Sequence, residues 1–142
     1  MSNWLDRVRP PKYLRYFFYI AYSWYRPYKS DRSDAHFNSV CFLAFANTIA
    51  LISFVFMILG NFIVNSLGSK RIIITIIIFM TCIHYIYFFR KQKWKEYIKE
   101  FNYLKKKDRK RGALYLFLYF FIIIIILLPL SFYFIVKNSS NY

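Results

Sequence analysis

Three stretches without a charged side chain, each long enough for a membrane-spanning helix, dominate this 142-residue chain. They cover residues 35–69, 72–89 and 113–136, and clusters of Lys and Arg separate them. Because a bilayer core excludes charge and is crossed by about 20 apolar residues in a helix, this pattern constrains the fold strongly. It predicts an all-α integral membrane protein with three transmembrane helices.

The predicted boundaries are 36–64, 71–89 and 113–136 for the three spans, within a single membrane domain. A helix over the whole first stretch would reach about 50 Å, whereas the hydrocarbon core is about 30 Å thick. The core of the first span is therefore predicted at residues 40–59, with residues 65–68 in a turn on the far side. Pro129 is predicted to kink or loosen the far end of the third span.

The distribution of basic residues predicts the orientation. Of 21 Lys and Arg, seven precede residue 35 and eleven lie between Arg90 and Arg111, which with three spans places eighteen on one side. Only Lys70, Arg71 and Lys137 fall on the other side. The positive-inside rule therefore predicts a multi-pass protein of the bacterial inner (cytoplasmic) membrane, with its N-terminus in the cytoplasm and its C-terminus outside.

Residues 12–26 are predicted to form an interfacial helix that follows Pro10 and Pro11 and ends near Pro27. Its Tyr, Phe and Trp side chains are expected to dip into lipid while its basic residues reach the phosphates. An alternative is a signal peptide, because basic residues precede the stretch 16–25. The many tyrosines make that stretch a poor signal sequence, so the interfacial helix is preferred.

Residues 90–111 read as a basic, amphipathic cytoplasmic helix that continues the second span. Apolar residues recur at helical spacing, and form a predicted partner or membrane face: Trp94, Tyr97, Ile98, Phe101 and Leu104. The basic run that follows is predicted to contact anionic lipid headgroups: Lys105, Lys106, Lys107, Arg109, Lys110 and Arg111. The apolar face has three possible partners: the membrane surface, another protein, or the chain's own N-terminal helix.

Small and polar residues within the spans predict how the helices pack. Pairs spaced four apart in the first span, such as Ala44 and Thr48, allow helix backbones to approach closely. Asn47 lies at about the same depth as Thr81 and His84 in the second span. A hydrogen bond from Asn47 to Thr81 or His84 is therefore predicted to fix the register of this hairpin.

No catalytic constellation is visible, so the sequence predicts a non-enzyme without a cofactor. It contains no paired-carboxylate site, phosphate-binding glycine loop or zinc-protease motif. His36, His84, Cys41 and Cys82 match no metal-binding spacing, and the cysteines read as small core residues without a disulfide. The net charge of +15 is explained by membrane topology, so nucleic acid is not an expected partner.

The layout of the chain resembles that of small uncharacterised multi-helix membrane proteins of Bacteroidetes-type genomes. Three segments carry the resemblance: YFFYIAYSWYRPYK at the start, SDAHFNSV opening the first span, and RKQKWKEYIKEFNYLKKKDRKR before the last span. Some such proteins are encoded beside secreted toxins, which would imply an immunity role. The resemblance transfers no functional residue.

Three kinds of function remain after these exclusions. The leading expectation is a protein that binds a partner protein, as an accessory subunit or immunity-type protein. The second is a homo-oligomeric pore of the holin or defence-effector type, for which only the polar region around Asn47, Thr48 and Ser53 could line a channel. The third is a scaffold that organises a lipid surface through its basic segments.

Overall fold

A computed structural model describes residues 7–27, 33–64 and 69–139, and every regular element within them is helical. The six α-helices are α1 (Lys12–Tyr25), α2 (Ala35–Val64), α3 (Ser69–His84), α4 (Lys93–Phe101), α5 (Lys106–Phe121) and α6 (Leu128–Ser139). A π-helical segment, Tyr85–Phe89, and a 3₁₀ turn, Arg90–Gln92, follow α3. A second π-helical segment, Ile122–Leu127, joins α5 to α6.

Three helical stretches are long and apolar enough to cross a membrane: Ala35–Leu59, Lys70–Phe101 and Lys106–Lys137. Large apolar side chains point away from the bundle on all three, as at Phe45, Ile78 and Phe117. So much exposed apolar surface is unfavourable in water, whereas lipid tails are as apolar as these side chains. The prediction of an all-helical chain with three such helices is confirmed for the described residues.

Helix α2 occupies the centre of the bundle, because it packs against α1, α3 and α6. A stripe along α2 is completely buried and consists mostly of small residues: Ala35, Ser39, Leu43 and Ala46. Their spacing of three and four residues places them on one helix face. Small side chains on that face allow the neighbouring helices to approach closely.

The second long helix was predicted to continue straight into the basic segment, but it does not. The chain reverses at Lys91 and Gln92, whose φ angles of 53° and 54° lie in the left-handed region. A left-handed conformation costs roughly 1–2 kcal/mol for each residue that carries a side chain. The reversal folds α4 back so that Tyr97 and Phe101 become buried, and this burial offsets the cost.

The basic run was predicted to lie at the end of one continuous segment, residues 90–111, but its observed location is different. Helix α4 ends at Phe101, and α5 begins at Lys106. The run therefore forms the first turns of the third long helix, just before the apolar residues that begin at Ala113. Residues 102–105 form the turn between α4 and α5, and Leu104, the last member of the apolar stripe, packs against the core from that turn.

Helix α1 is part of the protein core, which differs from the prediction that its aromatic residues dip into lipid. Phe18, Tyr19 and Ile20 are at most 4% exposed. They are covered by α2, α4 and α5, and Phe18 packs on Phe88 with ring centroids 4.9 Å apart. Tyr13 and Trp24 remain exposed, so only part of the predicted lipid-facing set is free.

The far end of the third long helix is loosened near Pro129. The π-helical segment Ile122–Leu127 directly precedes α6, in which Pro129 is the second residue. Proline lacks an N–H and clashes with the carbonyl four residues earlier, and a wider π turn accommodates both effects. The predicted turn at residues 65–68, between α2 and α3, lies outside the described residues.

Candidate functional site

A chain of hydrogen bonds inside the bundle joins the three long helices. Asn47 Nδ2 lies 3.2 Å from His84 Nε2, so the predicted bond between the first and second helices is confirmed with His84 as the partner. His84 Nδ1 lies 2.8 Å from the carbonyl oxygen of Met80. Because a carbonyl only accepts, Nδ1 carries the proton and Nε2 accepts from the Asn47 amide.

The third long helix contributes Tyr119, which was not predicted from the sequence. The Tyr119 hydroxyl donates to Asn47 Oδ1, while the Asn47 amide nitrogen donates to His84. Both ends of the Asn47 side chain are therefore used, each on a different helix. Tyr119 was missed because nothing distinguishes it from the many other tyrosines of the chain. A depth count on the third span gives the level of Tyr119 but not the direction in which its side chain points.

The other predicted residues of this junction have local partners. Thr81 is exposed, and its hydroxyl donates to the Ile77 carbonyl of its own helix. Thr48 donates in the same way to the carbonyl of Ala44. Neither threonine bonds across helices, since a threonine hydroxyl within a helix readily bonds the carbonyl one turn earlier. The contact seam also runs through Ala46 rather than through Ala44 and Thr48, which are only half-buried.

The predicted partner or membrane face packs largely within the chain. Tyr97 and Phe101 are at most 3% exposed. The partly buried members Trp94, Ile98 and Leu104 pack against the same core. Of the three occupants left open by the sequence, the chain's own N-terminal helix is the one observed.

Two ion pairs fasten α4 to the N-terminal segment. Arg15 Nη1 pairs with Glu100 Oε2 in a half-buried contact, and Arg9 Nη2 pairs with Glu96 at 3.2 Å in an exposed one. Lys93 is buried and donates to the Val8 carbonyl at 2.7 Å. Residues 7–26 and 90–111 therefore form one body, which we call the basic cap.

Gly112 is the point at which α1 crosses α5. A Cβ atom added there would lie 2.8 Å from Ile20 Cγ1 and 2.5 Å from Tyr16 Oη, so a larger residue would have to displace these side chains. Burial raises the pKa of the Tyr16 phenol, and nearby Tyr115 raises it further. Tyr16 is therefore neutral at physiological pH and adds no negative charge to the basic cap.

The residues predicted to contact lipid headgroups are mostly exposed at the start of α5. Lys105, Lys106, Lys107, Lys110 and Arg111 all extend into the surroundings of the protein. Arg109 is half-buried instead and lines a cavity of about 430 Å³ between α1, α4 and α5. Five of the six predicted cations are thus exposed, and the sixth lines an open cavity.

Both cysteines lie on the outside of the bundle, which corrects their predicted place in the core. Cys41 and Cys82 are exposed and not bonded to each other. Among residues 7–27, 33–64 and 69–139, no three side chains of His, Cys, Asp or Glu converge to hold a metal ion. His36 stacks on Trp94, with ring centroids 4.2 Å apart, and so anchors α2 to α4.

No family model, curated protein or solved structure matches this chain.

Proposed function

We propose that this chain is a non-enzymatic, multi-pass protein of the bacterial inner membrane that binds anionic lipid headgroups through its basic cap. Its N-terminus is in the cytoplasm and its C-terminus outside, as the positive-inside rule requires for eighteen basic residues against three. The cytoplasmic face of the bilayer carries the negative surface potential that attracts such residues.

One observation carries the proposal: the acidic residues of α4 are paired internally, whereas the basic run of α5 is exposed. Glu96 and Glu100 pair with arginines of the N-terminal segment. The exposed side chains of Lys105, Lys106 and Lys107 are left to face the headgroups at the start of the third span. Each such residue near an anionic surface contributes about 1 kcal/mol.

Two other functions have less support from the geometry. A partner-binding accessory subunit or immunity-type protein was expected to use the apolar face of α4, and that face is buried. A pore requires a polar helix face turned toward a channel. Asn47 instead bonds inward, Thr48 bonds its own helix, and Ser53 is 4% exposed.

The proposal is tested by native mass spectrometry of the full chain released from nanodiscs that contain equal amounts of phosphatidylglycerol and phosphatidylcholine. We expect phosphatidylglycerol to be enriched on the protein. Replacing Lys105, Lys106, Lys107, Lys110 and Arg111 together by Gln should remove the enrichment, while Lys70→Gln with Arg71→Gln at the other end should not. Equal retention of both lipids by the wild-type chain contradicts the proposal.

The same measurement on native membranes addresses the two alternatives. A complex at a whole multiple of 17.4 kDa with no second protein would favour the pore. Added mass from a second protein would favour an accessory subunit or immunity-type protein.

A further inference from the structure

We propose that the cavity between α1, α4 and α5 is a discrete binding site for one phosphoryl group, held by Arg26 and Arg109. This inference rests on the proposed function and deepens it, because it replaces part of a diffuse surface attraction by a site with defined stoichiometry. Both arginines line the cavity, together with Tyr19, Tyr22 and Asn102. Its volume of about 430 Å³ is in the range of small-molecule sites.

Comparison with Arg15 shows what Arg109 lacks. Each has a buried Nε atom without a hydrogen-bond partner among the described residues. The Arg15 guanidinium has an anionic partner in Glu100. Among residues 7–27, 33–64 and 69–139, no acid lines the cavity and none forms an ion pair with Arg109. An oxyanion in the cavity would therefore give the Arg109 guanidinium an anionic partner, as Glu100 does for Arg15.

The chemistry of the lining favours a phosphoryl group. A guanidinium presents paired N–H donors that match two oxygens of a phosphate, and phosphate binding by arginine is common for that reason. Tyr22 and Asn102 also line the cavity, and their side chains carry a hydroxyl and an amide that are able to donate to phosphate oxygens. Ser23 also lines the cavity, but its hydroxyl already donates to the Ile20 carbonyl at 2.8 Å.

The position of the cavity along the third long helix agrees with this ligand. Arg109 precedes Ala113, the first apolar residue of the charge-free stretch, by one helical turn, or about 6 Å. In the proposed orientation this is the level of the lipid phosphates. The phosphoryl group therefore belongs either to an anionic lipid or to a small phosphate ester in the cytoplasm.

The test measures binding to the full chain in uncharged detergent micelles by native mass spectrometry. The probes are dioctanoyl-phosphatidylglycerol, dioctanoyl-phosphatidylcholine and sn-glycerol 3-phosphate. We expect one phosphatidylglycerol per chain. Arg109→Gln and Arg26→Gln should each weaken its binding by about tenfold to a hundredfold, as for loss of a charged hydrogen bond. Arg26 is exposed at the end of α1, so its replacement leaves the fold intact.

Matched variants separate the cavity from the surface. Arg71→Gln removes the same charge at the opposite end of the bundle and should bind phosphatidylglycerol like the wild type. Lys107→Gln removes an exposed charge outside the cavity and should weaken binding by no more than about fivefold. An equal loss in Lys107→Gln and Arg109→Gln would overturn the cavity site and leave the surface proposal standing.

The remaining outcomes identify the source of the phosphoryl group. Binding of sn-glycerol 3-phosphate that requires Arg109 would support the site and point to a soluble phosphate ester. Binding of phosphatidylglycerol alone, again requiring Arg109, would support it and point to lipid. Suppose that the wild-type chain binds phosphatidylglycerol no more tightly than phosphatidylcholine and in no fixed ratio. Both the cavity site and the proposed function then fail.

Discussion

Asn47 holds the three long helices together through two hydrogen bonds, and its replacement tests that role directly. Hydrogen bonds between helices in membranes average about 0.6 kcal/mol, with a maximum near 1.7 kcal/mol. Asn47→Leu removes the bonds to His84 and Tyr119 and should therefore lower the free energy of unfolding by about 1.2 to 3.4 kcal/mol. Tyr119→Phe removes one of them and should lower it by about 0.6 to 1.7 kcal/mol.

The double variant provides the sharper result. Once Asn47 is Leu, the Tyr119 hydroxyl has no bond to lose, so adding Tyr119→Phe should cost almost nothing further. The coupling between the two positions should equal the single Tyr119 bond. Tyr133→Phe is the matched control, because Tyr133 is an exposed tyrosine on the same long helix and its replacement should leave the free energy of unfolding unchanged.

The measurement is reversible unfolding by sodium dodecyl sulfate in lipid–detergent bicelles, followed by circular dichroism. Strictly additive losses for Asn47→Leu and Tyr119→Phe would refute the reasoning, since they would mean that the two side chains do not share a bond. A loss of the same size in Tyr133→Phe would also refute it, because the effect would then belong to tyrosine hydroxyls in general.

Three further predictions concern the basic cap and use the same unfolding assay. Gln92→Gly should raise the free energy of unfolding by about 1 kcal/mol, because glycine adopts a positive φ without steric cost. Gln92→Ala should not raise it. Equal effects of the two substitutions would contradict this explanation. Gly112→Ala should lower it by about 1–3 kcal/mol through overpacking against Ile20, and Ile20→Ala in the same chain should restore part of that loss; no restoration would mean that the clash lies elsewhere. Glu100→Gln should lower the free energy of unfolding by about 1–3 kcal/mol, less than for a fully buried pair. Glu96→Gln should lower it by no more than about 1 kcal/mol, because that pair is exposed. A reversed order would show that burial does not set the strength of these ion pairs.

The three long apolar helices were predictable, because each corresponds to a stretch of the sequence without a charged residue. Eighteen or more apolar residues between basic clusters leave few alternatives to a spanning helix. The Asn47–His84 contact was also predictable, since two adjacent antiparallel helices bring residues of equal depth to the same level. Tyr119 could not be found in that way without knowing which face of the third helix turns inward.

The course of the chain after Phe89 was not predictable from periodicity. The apolar spacing of Trp94, Tyr97 and Phe101 identifies a helix with one apolar face, but it does not say what covers that face. The reversal depends on two left-handed residues, Lys91 and Gln92, which are neither glycine nor asparagine and so give no signal in the sequence. Packing against α1 stabilises a backbone conformation that local preference disfavours.

The burial of α1 by later parts of the chain has a consequence for the order of events during synthesis. Phe18 and Ile20 leave the ribosome early, but the residues that cover them in α4 and α5 lie about 80 to 100 positions further along the chain. At 5–20 residues per second, translation of that interval takes on the order of 5 to 20 s. For that time α1 can pack only on α2, and the face that α4 and α5 later cover is free to engage the insertion machinery or the membrane surface. The basic cap is thus complete only after the third long helix has begun to emerge, and a chain truncated before α4 would leave that face of α1 uncovered.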